Sequence, residues 1–263
     1  MYPTLPKSYK GLYPFKLCTT SYIYPDHIVP NVEMLAPYMD EIEILLFESA
    51  AGSLPSKNEI EKLSRLSRTF DLTYNVHLPL DITPGTRDAS VRRFALETIK
   101  QITELTAPLS PSTFTLHLPY DETNTEKSSV RRWQERNYDS IEQLTAAGID
   151  GKRISIETLE YPLEWIETII NDFDLSVCID VGHLMVNRFD MEYVFDRYRD
   201  RTTIMHLHGV EGRKDHLSLD RLSKEQRKSV MRILEHFQGV ISLEVFSYDN
   251  LVSSLKALAE FGL

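Results

Sequence analysis

Eight short apolar runs recur along the chain, and each is followed by a stretch with apolar residues at helical spacing. The strand-like runs are 15–20, 41–48 (EIEILLFE), 73–78 (TYNVHL), 113–118 (TFTLHL), 153–158 (RISIET), 175–181, 202–208 (TTIMHLH) and 240–246 (VISLEVF). The helical stretches are 25–38, 56–70, 87–105, 130–147, 163–172, 191–199, 224–237 and 249–261. Ser56 opens the second of these, with Ile60, Leu63 and Leu66 behind it, which is a capped amphipathic pattern. Alternation of strand and helix calls for parallel strands covered by helices, because a parallel pair needs a long crossover between its members.

Eight such units in 263 residues predict one α/β domain. The expected fold is a single (β/α)8 TIM barrel over 15–263, with a short irregular N-terminal arm over 1–14. An open doubly wound sheet is the alternative, and the lack of a G-x-G-x-x-G after the first run weighs against it. The net charge of −10 argues against a nucleic-acid partner, since affinity for a polyanion is largely electrostatic. Cys18 and Cys178 both lie inside apolar runs, so reduced thiols and a cytoplasmic setting are expected rather than a disulfide framework. The opening MYPTLPKSYKGLYPF has no apolar core of a signal peptide, and no run of about 18 apolar residues suggests a membrane span. Oligomeric state is left open.

The stretch LSVCIDVGH at 175–183 shows what the strands share. By the two-residue period, Cys178 and Asp180 fall on one face and Val177 and Ile179 on the other. Five more runs repeat this. Asn75 and His77, Thr115 and His117, Ser155 and Glu157, Ile204 and His206, and Ser242 and Glu244 form the inward sets. The opposite sets are large and apolar, as helix-packed faces must be. Six consecutive strands therefore end in His, Glu or Asp at one height, which in a barrel is the C-terminal mouth. A lone strand-end His or buried Glu is more often structural, but six in register are not. Carboxylates at ~5 Å repel by roughly 3 kcal/mol at an effective dielectric of ~20. No inward Lys or Arg offsets that, so a divalent cation is expected.

This set resembles the xylose isomerase-like barrels, in particular their endonuclease IV-like branch (AP endonuclease family 2), over nearly the whole chain from Phe15. The resemblance implies that His77 and His117 hold one metal with Glu157 as a bridge. It implies a second metal on Glu157, Asp180, His206 and Glu244. A third would take His183, three residues after Asp180, and a D-x-H pair after the seventh strand. Here Asp215 and His216 stand adjacent instead, so both reaching one ion needs a bent loop, and His208, in phase with His206, is a substitute. Two or three divalent ions are thus implied, with Zn, Mn or Fe(II) all compatible with mixed His and carboxylate ligands.

KLCTTSYIYPDHIVPNV, EIEILLFES and YNVHLPLD are also similar to bacterial cobamide-remodelling hydrolases. These open the nucleotide loop of vitamin B12-like cofactors to give cobinamide phosphate and α-ribazole. The expectation is a metal-dependent phosphodiesterase with a cobamide as small-molecule substrate. Glu157 and His183 are the candidate catalytic residues, and Glu48, His208, Arg213 and Lys214 the candidate substrate contacts. Glu48 is taken as inward, in phase with Ile44 and Leu46; Arg213 and Lys214 fit a solvated loop equally well. A sugar isomerase or epimerase, which needs only Glu157, Asp180, His206 and Glu244, is the alternative. An AP endonuclease and a non-catalytic corrinoid-binding protein complete the field.

Overall fold

The computed structural model describes residues 2–262. Its chain order is β1 (Lys16–Thr20), α1 (Ile28–Leu35), β2 (Glu41–Leu45), α2 (Lys57–Phe70), β3 (Thr73–His77), α3 (Ala89–Thr106), β4 (Phe114–Leu116), α4 (Lys127–Ala146), β5 (Ile154–Glu157), α5 (Glu167–Asp172), β6 (Ser176–Asp180), α6 (Val181–Asn187), α7 (Met191–Tyr198), β7 (Thr202–Leu207), β8 (Gly209–Glu211), β9 (Lys214–Leu217), α8 (Lys224–Leu234), β10 (Val240–Leu243) and α9 (Tyr248–Ala259). Eight parallel strands close in the order β1-β10-β7-β6-β5-β4-β3-β2, which is the expected (β/α)8 barrel.

The eight strand–helix pairs stand where the apolar periodicity puts them, with shorter strands. Ser56 caps α2 in a full capping box with Glu59, as its position before the amphipathic run requires. The main core lies between strands and helices and includes Ile42, Ile44, Val76, Ile156, Val177 and Ile241. A smaller cluster of Cys18, Cys178, Ile204 and Val240 fills the barrel interior, and both cysteines are free. The N-terminal arm is irregular and tied down: Tyr24 Oη donates to the Pro3 carbonyl at 2.8 Å and Tyr248 Oη to that of Thr4 at 2.8 Å. Among the described residues, no helix is long and apolar enough to cross a membrane.

Three features depart from the periodicity. The turn after Asp180 is a helix, α6. The loop after β7 contains an antiparallel hairpin, β8–β9. The inward phase of β2 is the reverse of that expected. Ile44 and Leu46 pack in the outer core, whereas Glu41 and Glu43 point into the barrel, Glu41 accepting from Asn75 Nδ2 at 3.0 Å. The strand ends at Leu45, so counting backwards from Glu48 crosses a break in the extended backbone and inverts the phase. Glu48 itself is exposed, accepting from Ser53 Oγ at 3.2 Å.

Candidate metal centre

Six of the eight barrel strands, β3 to β7 and β10, each deliver one donor at or next to their C-terminal end. Glu157, at the end of β5, is buried and offers its two oxygens to different partners. Oε2 lies 3.1 Å from His77 Nε2 and 2.9 Å from His117 Nε2, while Oε1 lies 3.2 Å from His183 Nδ1. Its two oxygens therefore meet different donors, an arrangement that a bridging carboxylate needs.

Asp180 has a second task that explains the spacing to His183. It is the N-cap of α6, its Oδ1 accepting the His183 backbone N–H at 2.7 Å. The first helical turn then folds the His183 ring back over the carboxylate, 3.4 Å from Nδ1 to Oδ2. On β7, His206 is fully buried and turns Nδ1 toward Glu244 Oε2 at 3.1 Å, Glu157 Oε2 at 3.5 Å and Asp180 Oδ2 at 3.8 Å.

The hairpin brings in the last histidine. His216 sits in the left-handed region at φ 52° and stacks near His208, with ring centroids 4.3 Å apart. Its backbone N–H donates to His208 Nδ1 at 2.9 Å, while His208 Nε2 lies 3.1 Å from Asp180 Oδ1. Both ring nitrogens of His208 are thus engaged, so in this arrangement it supports Asp180 rather than offering a lone pair. Gly182 makes room for it, since a Cβ there would come within 1.9 Å of His208 Cε1. Asp215 is half-buried and takes part in none of the donor groups, because neighbours on a strand point apart and His216 points in. Arg213 and Lys214 are exposed in the hairpin.

Four donor groups have ligand atoms within 4.8 Å of one another: His77, Glu157 and His206; Glu157, Asp180 and His183; Asp180, His206 and Glu244; and His183, His208 and His216. They share members and run continuously across the mouth. Among the described residues, only histidines lie at ion-pair distance from Glu43, Glu157, Asp180 and Glu244. Burial alone would raise the carboxyls, yet His117 and His206 hold Glu157 well below the ordinary range, and His183 and His208 do the same for Asp180. Burial opposes a charge on His183 too, but Asp180 and Glu157 outweigh it and push the imidazole up to about 10. In hydrogen-bond terms the centre is incomplete: Glu244 Oε2 and both His206 nitrogens are buried without an aligned partner. Buried oxygen and imidazole donors with unused lone pairs fit divalent metal ions.

Glu43 is the residue that the strand pattern missed. It is fully buried, with His206 Nε2 at 3.2 Å. The signal was present: the rule that apolar residues face the helices, applied to EIEIL, turns both glutamates inward.

Beside the metal centre, an aromatic wall continues from His216. Phe246 lies 5.1 Å from it, Phe47 5.9 Å from Phe246, and Tyr22 4.7 Å from Phe47, all between ring centroids. The wall borders a groove of about 860 Å³ that also meets Tyr24 and Tyr248.

Solved structures share this architecture. The chain matches a D-tagatose 3-epimerase-like protein at 19% identity and TM-score 0.79, covering 94% of this chain and 97% of that one. It matches the IolI protein, solved with a bound zinc atom, at 15% identity and TM-score 0.74, covering 94% and 98%. Endonuclease IV from Thermus thermophilus follows at 14% identity and TM-score 0.67, again covering 94% and 98%. At these identities the likeness is one of fold. No curated protein matches the chain by sequence. A family model does match residues 39–261, and on that match the chain belongs to the xylose isomerase-like TIM-barrel family.

Proposed function

We propose that the protein is a metal-dependent phosphodiesterase that opens the nucleotide loop of cobamides. The observation that carries the reading is the surplus of donors. Glu157, Asp180, His206 and Glu244 suffice for one ion, yet His77 and His117 also converge on Glu157 Oε2, and His183 and His216 extend the set further. His77, His117 and Glu157 would hold one ion and Glu157, Asp180, His206 and Glu244 a second, with His183 and His216 available to a third. Divalent ions bound there supply Lewis acidity, activation of water near neutral pH and charge neutralisation at a phosphodiester.

The chain's own residues do the rest. Glu157 keeps the two halves of the centre at a fixed separation. Asp180, locked by its cap on α6 and by His208, cannot turn away. The aromatic wall and its groove suit a substrate with a large flat apolar part, which a cobamide has and a free hexose lacks. In the reaction, water oxygen joins phosphorus, the bond from phosphorus to the ribose oxygen breaks, and α-ribazole leaves with that oxygen protonated. Cobinamide phosphate remains.

A second reading, a sugar epimerase or isomerase, rests on Glu157, Asp180, His206 and Glu244 serving a single ion. An AP endonuclease is disfavoured by the net charge of −10. Metal-loaded protein incubated with cobalamin, and followed by chromatography, is expected to release α-ribazole. Intact cobalamin together with C3 epimerisation of a ketohexose would move the assignment to the second reading; nicking of abasic-site DNA would move it to repair.

A further inference from the structure

Among the buried carboxylates at this centre, Glu43 is the one that no ion reading uses. It lies one layer below the mouth on β2, and neither of its carboxylate oxygens has an aligned hydrogen-bond partner. A carboxylate at that depth is costly to keep without a reason. The group facing it is His206 Nε2, at 3.2 Å, while His206 Nδ1 faces Glu244, Glu157 and Asp180 on the other side of the ring.

Other histidines at the mouth are steadied by backbone. His77 Nδ1 lies 2.9 Å from the Leu78 carbonyl, and His216 Nδ1 3.2 Å from that of Glu244. His206 has no such recourse. It stands within β7, in register with Asp180 of β6 and Ser242 of β10, where strand carbonyls are committed to the sheet. The Cys178 thiol of β6 also lies against the His206 ring, but the carboxylate that faces its inner nitrogen is that of Glu43, 3.2 Å away.

We propose that Glu43 is a positioning residue for the metal centre. It accepts from Nε2–H of His206 and so fixes the tautomer that leaves the Nδ1 lone pair aimed at the ion shared with Asp180 and Glu244. The proposal rests on the metal reading above. Outer partners of ligating histidines set ring orientation and basicity in this way.

Chelator competition on purified protein tests it. Glu43→Leu, which removes the acceptor and keeps similar bulk, is expected to weaken binding of one ion by about 10–100-fold. Glu43→Gln, which keeps an acceptor oxygen, should recover most of that loss. The metal-free melting temperature of Glu43→Leu should equal or exceed that of the unmodified protein. In a His206→Ala background, Glu43→Leu should cost nothing further. Unchanged affinity in Glu43→Leu, or losses that simply add in the double variant, would overturn the role. Should Glu43→Leu fail to fold, ring nitrogen NMR of the unmodified metal-loaded protein decides: a proton on Nε2 of His206 is expected, and one on Nδ1 refutes. If the unmodified protein binds no ion, the metal reading itself fails, which is a separate result.

Discussion

Glu157 divides its two oxygens between His77 and His117 on one side and His183 on the other, and the site turns on that division. His77→Ala and His117→Ala should each remove one ion per chain, read by elemental analysis. Phosphodiester hydrolysis should fall by more than the ~10–100-fold usual for an outer-shell partner. His183 gives a pH prediction for the metal-free protein. Its imidazole is held at about 10 by Asp180 and Glu157, against about 6.5 in an unfolded chain. A raised basic group contributes stability that is fully present below pH ~6.5 and is lost as pH rises toward ~10. The metal-free melting temperature should therefore decline over that window, and His183→Gln should flatten the decline. Glu157, Asp180 and Glu244 are depressed, so their contribution is present above about pH 4 and lost on acidification below it.

At the scale of elements, strand ends were legible and the segments beyond them were not. Asp180 and His206 could be aligned because each ends or lies within a strand whose outward partners, such as Ile179 and Met205, are large and apolar. The D-x-x-H spacing was visible too, but its cause, Asp180 capping α6, depends on a helix that begins without the usual break after a strand. The hairpin β8–β9 left little trace, because its strands are short and polar, and its histidine sits at positive φ, which no local pattern announces. Glu43 was lost to the error of phase in β2. Two predictions belong here. Gly182→Ala should push His208 off Asp180 and weaken metal binding while leaving the barrel folded, as read by chelator competition beside circular dichroism. Ser56→Ala, which removes the capping box of α2 and touches no member of the donor groups, should cost about 1 kcal/mol in chemical denaturation and leave metal content unchanged.

The whole molecule joins a closed barrel, a continuous sheet of donors at its mouth and an aromatic wall at one side. The barrel was legible because eight alternations within one chain leave few other ways to bury the apolar faces. The wall was not, since Tyr22, Phe47 and Phe246 come from three separate loops and meet only after closure. A donor set larger than one ion needs is the feature on which the functional account depends. Counting ions per chain by native mass spectrometry, after loading with zinc or manganese and removal of excess, tests it most directly. The account predicts two or three ions per chain; a single ion, unchanged by His77→Ala or His117→Ala, would contradict it.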